Sequence, residues 1–210
     1  MDLVTLVADI REETNKDVNA LTDAKIRSSI RDALTHIETE EDWVYMDTKT
    51  AFTIDPADPN PERIAMPSRI KKIEYVFTQE TTGDSTVRHW IDEVKPEDIN
   101  SIREGRPERY WKDSMNYLYW DRTPTDEIYT GELSAYTFTT WSDADVFEPW
   151  IFESAHTYVK LQAIVFLAPF LREPEMLQTY GELFRMSREA ALVMNTELEL
   201  GNQKPRMKFS

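Results

Sequence analysis

The residue types that most often carry chemistry are present in this chain, but their spacing does not assemble them. The three histidines, His36, His89 and His156, each fall in a different predicted element. None has a second histidine within helical reach, so a zinc site has no local support and structural or surface roles are expected. Asp55 and Asp58, in a proline-rich stretch, offer oxygen ligands for calcium, yet two acids fall short of the roughly six to eight ligands that ion takes. An ordinary solvated loop is expected there. The five glycines, at 83, 105, 131, 181 and 201, are scattered rather than clustered, which leaves no loop to cradle a phosphate. With 39 acidic residues, some pair will stand at the roughly 5 to 9.5 Å that glycosidases use, so proximity alone carries no information. Tyr110, Trp111, Tyr117, Tyr119 and Trp120 could stack on sugar rings or splayed bases, although alternating aromatics in strands more often pack a core. The acidic run Glu38, Glu40, Glu41, Asp42 and Asp47 reads as a solvated face. No catalytic residue, cofactor or metal is expected.

The elements that would position these residues follow from periodicity. Leu3, Val4, Leu6, Val7 and Ile10 at helical spacing after Asp2 predict a short first helix with an aspartate cap. Thr22-Asp23 caps a longer one, with Ile26, Ile30, Ala33, Leu34 and Ile37 on one stripe, ending near Trp43. From Lys49 the period changes to two. Ala51 to Ile54, then Ile70 to Phe77, Val87 to Ile91, Arg109 to Trp111, Tyr117 to Trp120 and Gly131 to Phe138 read as strands, with Asp55 to Pro61 a connector that cannot be helix. Pro96 to Ile102 reads as a short helix inside the sheet region. Ser142-Asp143-Ala144-Asp145 then offers a cap to a helix carrying Ile151, Ala155, Tyr158, Val159, Ile164, Phe166 and Leu167. Pro174 opens a last helix, with Leu177, Tyr180, Phe184, Ala191, Met194 and Leu198 on one face as far as Gly201. The expectation is an α+β fold in which N- and C-terminal helices, 1–47 and 141–200, form a helical domain. An antiparallel β domain, 48–140, is inserted between them, and 201–210 forms an extended basic tail.

Composition bounds the partners. At 40% hydrophobic and 30% charged, 210 residues suffice for one good core and a smaller second one. A formal net charge of -15 repels phosphate, which argues against sequence-independent grip on DNA or on an anionic membrane. The absence of cysteine removes disulfides and thiolate metal sites and suits a reducing cytoplasm. No secretory signal is read at the start, and the apolar run Leu161 to Leu171 is about half the roughly 20 residues a membrane span needs.

The segment Asp23 to Ile37, followed by Asp42-Trp43-Val44-Tyr45 and the strand Thr48 to Ile54, resembles the opening of bacteriophage head-to-tail adaptor proteins. Phe147 to Ala155 looks like the start of that family's long C-terminal helix, and the turn at Pro174 leads into Tyr180 to Arg185 on the next. The chain is most similar in this pattern to podovirus adaptors, the tail tubular A proteins. The resemblance implies a structural virion protein at the head-tail junction, made in the host bacterial cytoplasm. It implies a ring of identical subunits, commonly twelve, under the portal protein, meeting a tail nozzle or tail fibre protein below and letting double-stranded DNA pass without specific binding. An acidic lumen, with the Glu38 to Asp47 run contributing, would keep that DNA from sticking. In similar adaptors the C-terminal segment reaches the portal, which assigns portal binding here to Lys204, Arg206, Lys208 and Phe209. The alternative is a carbohydrate-binding or glycan-hydrolysing tail-associated module that uses the aromatic strands.

Overall fold

The computed structural model describes residues 1–202 except Asn19, Gly83, Asp84, Asn100, Ser114 and Met115. The fold is α+β, with helices at both ends of the described chain and strands between them. It divides into two compact units, one from Met1–Tyr45 with the described part of Thr139–Ser210, the other Met46–Phe138.

In the helical unit, α1 (Leu3–Thr14) starts where the Asp2 carboxylate accepts from the Thr5 N–H at 3.0 Å. Helix α2 (Asp23–Glu40) starts where the Thr22 hydroxyl accepts from Lys25. Both caps satisfy backbone donors that a helix start leaves unpaired. Helix α2 stops three residues before Trp43, whose buried indole N–H donates to the Ile37 carbonyl at 3.1 Å. The stretch 142–145 caps no helix. Pro149 disfavours helical backbone at the residue before it, so regular helix begins only at α3 (Trp150–Ser154). Asp145 instead pairs with Arg27, and the Phe147 carbonyl accepts from the Leu3 N–H.

Helix α4 (His156–Leu171) is apolar almost all round, as a helix between two others must be. Its Ala163 carbonyl accepts from the buried Ser29 hydroxyl of α2 at 2.7 Å. Pro169 is accommodated near its C-terminal end, and Arg172, in the left-handed region at φ 56°, turns the chain into α5 (Pro174–Asn202). Gly201 does not stop that helix.

The β unit contains two four-stranded sheets. One has the order β1 (Asp47–Ile54), β10 (Tyr129–Thr137), β3 (Ile70–Thr82), β4 (Ser85–Trp90), antiparallel throughout. The other has the order β2 (Arg63–Ala65), β8 (Tyr117–Trp120), β7 (Arg109–Lys112), β5 (Asp92–Glu93). Two pairings are parallel rather than antiparallel: β5 with β7, and β6 (Arg103–Glu104) with β9 (Arg122–Thr123). Both sheets supply one core, with Ile54, Val76 and Leu133 from the first and Tyr110, Leu118 and Trp120 from the second. Gly131 has a packing reason, because a Cβ there would lie 2.2 Å from the Phe77 carbonyl oxygen and 2.5 Å from the Phe52 ring. The expected helix from Pro96 shrinks to a single 3₁₀ turn, Pro96–Asp98.

Candidate functional site

The three histidines stay apart. His36 lies beside Glu40 and the Phe166 ring, His89 beside Arg106 and Glu80, and His156 is exposed at the start of α4. Among the described residues, no three metal-ligating side chains converge. Asp55 and Asp58 each accept a backbone N–H two residues on, from Ala57 and Asn60, which makes them turn formers. No tyrosine in the helical core is ready to ionise near neutrality, since burial pushes Tyr158 up to about 12 and Tyr45, also facing Glu38, further still.

The aromatic cluster is split by strand alternation. Tyr110 and Trp120 point into the core, where Phe52 stacks on Trp120, while Trp111, Tyr117 and Tyr119 form a half-buried row on the opposite face. Within that row Trp111 and Tyr119 lie nearly parallel, 5.5 Å apart. Arg63 sits 4.5 Å over the Tyr117 ring and donates to the Tyr119 hydroxyl, which occupies the ring face a sugar would need.

Reading the acidic run as a single solvated face requires correction. Glu38 is buried, at 1% exposure, and its carboxylate accepts from the Tyr45 hydroxyl, the Thr139 N–H and the Thr139 hydroxyl. Glu40 and Glu41 pair with Arg188 of α5, and Asp47 accepts from Ser134 in the β unit. Position 38 lies four residues after Leu34, so the apolar spacing already puts it on the buried stripe. Its charge hid that signal.

What the helical unit leaves uncovered is one long face of α5. At roughly 1.5 Å per residue, its 29 residues span about 43 Å against about 24 Å for the 16 of α4. The inward line includes Met176, Phe184, Ala191 and Asn195. Phe184 stacks on Tyr158 at 5.3 Å, and the Asn195 amide bonds Val44 and Asp42. Leu177 and Leu198, expected on the covered face, are exposed near the two ends. The outward line carries Leu183, Met186, Ala190, Val193 and Leu200, spaced three, four, three and seven apart. Met186, Val193 and Leu200 are 64%, 59% and 63% exposed, and Leu183 and Ala190 are exposed too. The helix thus carries an apolar stripe on each of two faces, and only one of them is covered by the described chain. The spacing of this stripe is written in the sequence, but it shares its helical period with the inward line, so periodicity alone does not separate the two.

Lys204, Arg206, Lys208 and Phe209 lie outside the described residues. A groove of about 670 Å³ on α1, lined by Val4, Val7, Ala8, Arg11 and Lys16 among others, offers no ready anion site. Its two cations are taken by Asp23 and Glu173. Among the described residues no helix is long and apolar enough to cross a membrane. No protein-family profile matches the chain, and a search of curated proteins finds no match to it.

Proposed function

We propose that this chain is a non-enzymatic structural protein of a tailed phage, a head-to-tail adaptor that assembles into a ring beneath the portal and joins capsid to tail. The observation that carries the reading is the outward stripe of α5, an apolar seam on the longest helix that nothing in the described chain covers. In a ring, that seam would pack on the next subunit. The order of elements also supports it, with helices before and after a β insert and a sharp turn at Arg172 between the last two long helices. A net charge of -15 suits a conduit that must let DNA slide, because like charge keeps the phosphate backbone from binding the wall. Lys204, Arg206, Lys208 and Phe209 are the proposed portal contacts, with the β unit left for a tail nozzle or fibre protein.

Native mass spectrometry of the protein mixed with portal rings tests this. A portal carrying a full ring of copies is expected, with attachment lost when residues 203–210 are deleted; a protein that stays unbound beside the portal overturns the proposal. The half-buried Trp111, the one ring of its row that Arg63 does not contact, favours a second reading as a glycan-binding module. Calorimetric titration with oligosaccharides from the host surface, on wild type and Trp111→Ala, decides that one.

A further inference from the structure

The outward stripe of α5 is a regular seam once its one charged member is counted. Leu183, Met186, Ala190, Val193, Glu197 and Leu200 follow one another in alternating steps of three and four, the spacing of a coiled-coil seam, and all are exposed. At roughly 1.5 Å per residue the seam runs about 26 Å along the helix. The helix beneath it is already held by its inward line, through Phe184 on Tyr158 and through Asn195 on Val44 and Asp42. Docking a partner on a preformed helix costs little ordering.

The order of residues along the seam selects what fits it. Laid antiparallel on the same seam of a second copy, Leu183 meets Leu200, Met186 meets Glu197 and Ala190 meets Val193, and a twofold axis repeats each meeting on its other side. Every seam position is then used, with the bulky leucine pairs at the two ends and small Ala190 opposite Val193 at the centre. Sliding by one heptad either way leaves out Glu197 and Leu200, or Leu183 and Met186. Parallel pairing in register sets Glu197 against the Glu197 of the other copy, and two carboxylates forced together in a desolvated seam are costly. In the antiparallel pair the two Glu197 carboxylates stand about 16 Å apart along the axis at roughly 1.5 Å per residue, each opposite a methionine.

We infer that, with no other partner present, two copies of this chain pair through the outward face of α5, antiparallel about a twofold axis between Ala190 and Val193. Two chains of net charge -15 repel each other, so the pairing rests on the apolar seam and strengthens as salt screens the charge. Glu197 limits its strength, because its carboxylate gives up water opposite a thioether. A twofold pair uses the seam of both copies and stops at two, unlike a head-to-tail contact that continues around a ring. The pairing does not rest on the adaptor reading; under that reading the pair must open before the same seam can join a ring.

Sedimentation velocity of the full chain across the micromolar range, without any portal, tests the pairing. A monomer–dimer equilibrium is expected, weakened at least about tenfold by Val193→Lys and tightened at least about tenfold by Glu197→Leu, as the transfer of a charge into or out of an apolar seam requires. Circular dichroism shows that these surface variants remain folded. Orientation is read by cross-linking. The chain has no cysteine, so thiols introduced as Leu183→Cys and Leu200→Cys in separate chains are the only ones present. When the two chains are mixed and treated with a short bismaleimide, dimers joining one of each are expected to outnumber like-with-like dimers. A wild-type chain that stays monomeric, a ladder of species larger than a dimer, or predominantly like-with-like cross-links each overturn the proposal. No portal takes part, so its failure leaves the adaptor reading to be decided by portal binding alone.

Discussion

Asp121 shows how one carboxylate can organise a loop-rich part of the β unit. Its side chain is only 2% exposed; one oxygen accepts from the backbone N–H groups of Glu108 and Arg109, at 3.0 and 2.9 Å, and the other from Arg109 Nε at 3.1 Å. Burial pushes this carboxyl up, but the two N–H donors and the guanidinium outweigh it and hold the carboxyl below its ordinary 3.8. A depressed folded-state value means stability that is present above 3.8 and lost as pH falls through the folded value. Asp121→Asn keeps the shape but turns an NH₂ donor toward other donors. We expect it to cost about 2 kcal/mol at pH 7, read from hydrogen exchange of the amides of residues 108–110, with the gap to wild type closing below about pH 4. A gap unchanged from pH 7 to pH 3 would show that the charge is not what matters. Nothing in the sequence marked Asp121, one acid among 39, because its value comes from β7 and β8 lying side by side. Glu38 differs: helical spacing put it on the buried stripe, and only its residue type argued otherwise.

At the scale of elements, sequence was most legible where a cap and a stripe agreed. Asp2 and Thr22 begin α1 and α2 as their side-chain oxygens predict, and the change of period at Lys49 marks β1 to within two residues of its start at Asp47. It was least legible where a local signal met a longer-range constraint. Ser142 and Asp145 have cap chemistry, but Pro149 delays the helix. The two-residue parallel strands β5, β6 and β9 have no pattern of their own, since their partners in the other strands define them. For α5 the stripe was visible and its doubling was not, because both faces obey one period. The helix also tolerates a poor helix former at Gly181, where an added Cβ would meet nothing within 4 Å. Gly181→Ala is therefore expected to stabilise α5 by about 0.5 to 1 kcal/mol, through helix propensity and a less free unfolded chain. A thermal melt followed at 222 nm should shift upward; a downward shift would mean that residue 181 packs on something beyond the described chain.

For the whole molecule, the consequential fact is how the β unit is spliced into the helical one. The chain enters the β unit at Met46 and returns at Thr139, and each unit closes over its own side of that junction. On the β side, Asp47 pairs with Tyr136 and Thr48 with Ala135, so the two ends of 46–138 are already strand neighbours. On the helical side, Glu38 holds both cut ends at once, through the Tyr45 hydroxyl and through Thr139. An insertion whose ends are close in both parts can be removed without stretching either. Residues 46–138 made alone are expected to fold, seen as a dispersed amide spectrum, and so is the helical unit with 46–138 replaced by a short Gly-Ser linker. In that linked helical unit, Glu38→Ala should cost about 3 kcal/mol in urea unfolding, because it strips a buried acceptor from three donors together. Equal stability of the two linked forms would mean that Glu38 does not hold the junction. If neither part folds alone, the two units depend on each other for stability.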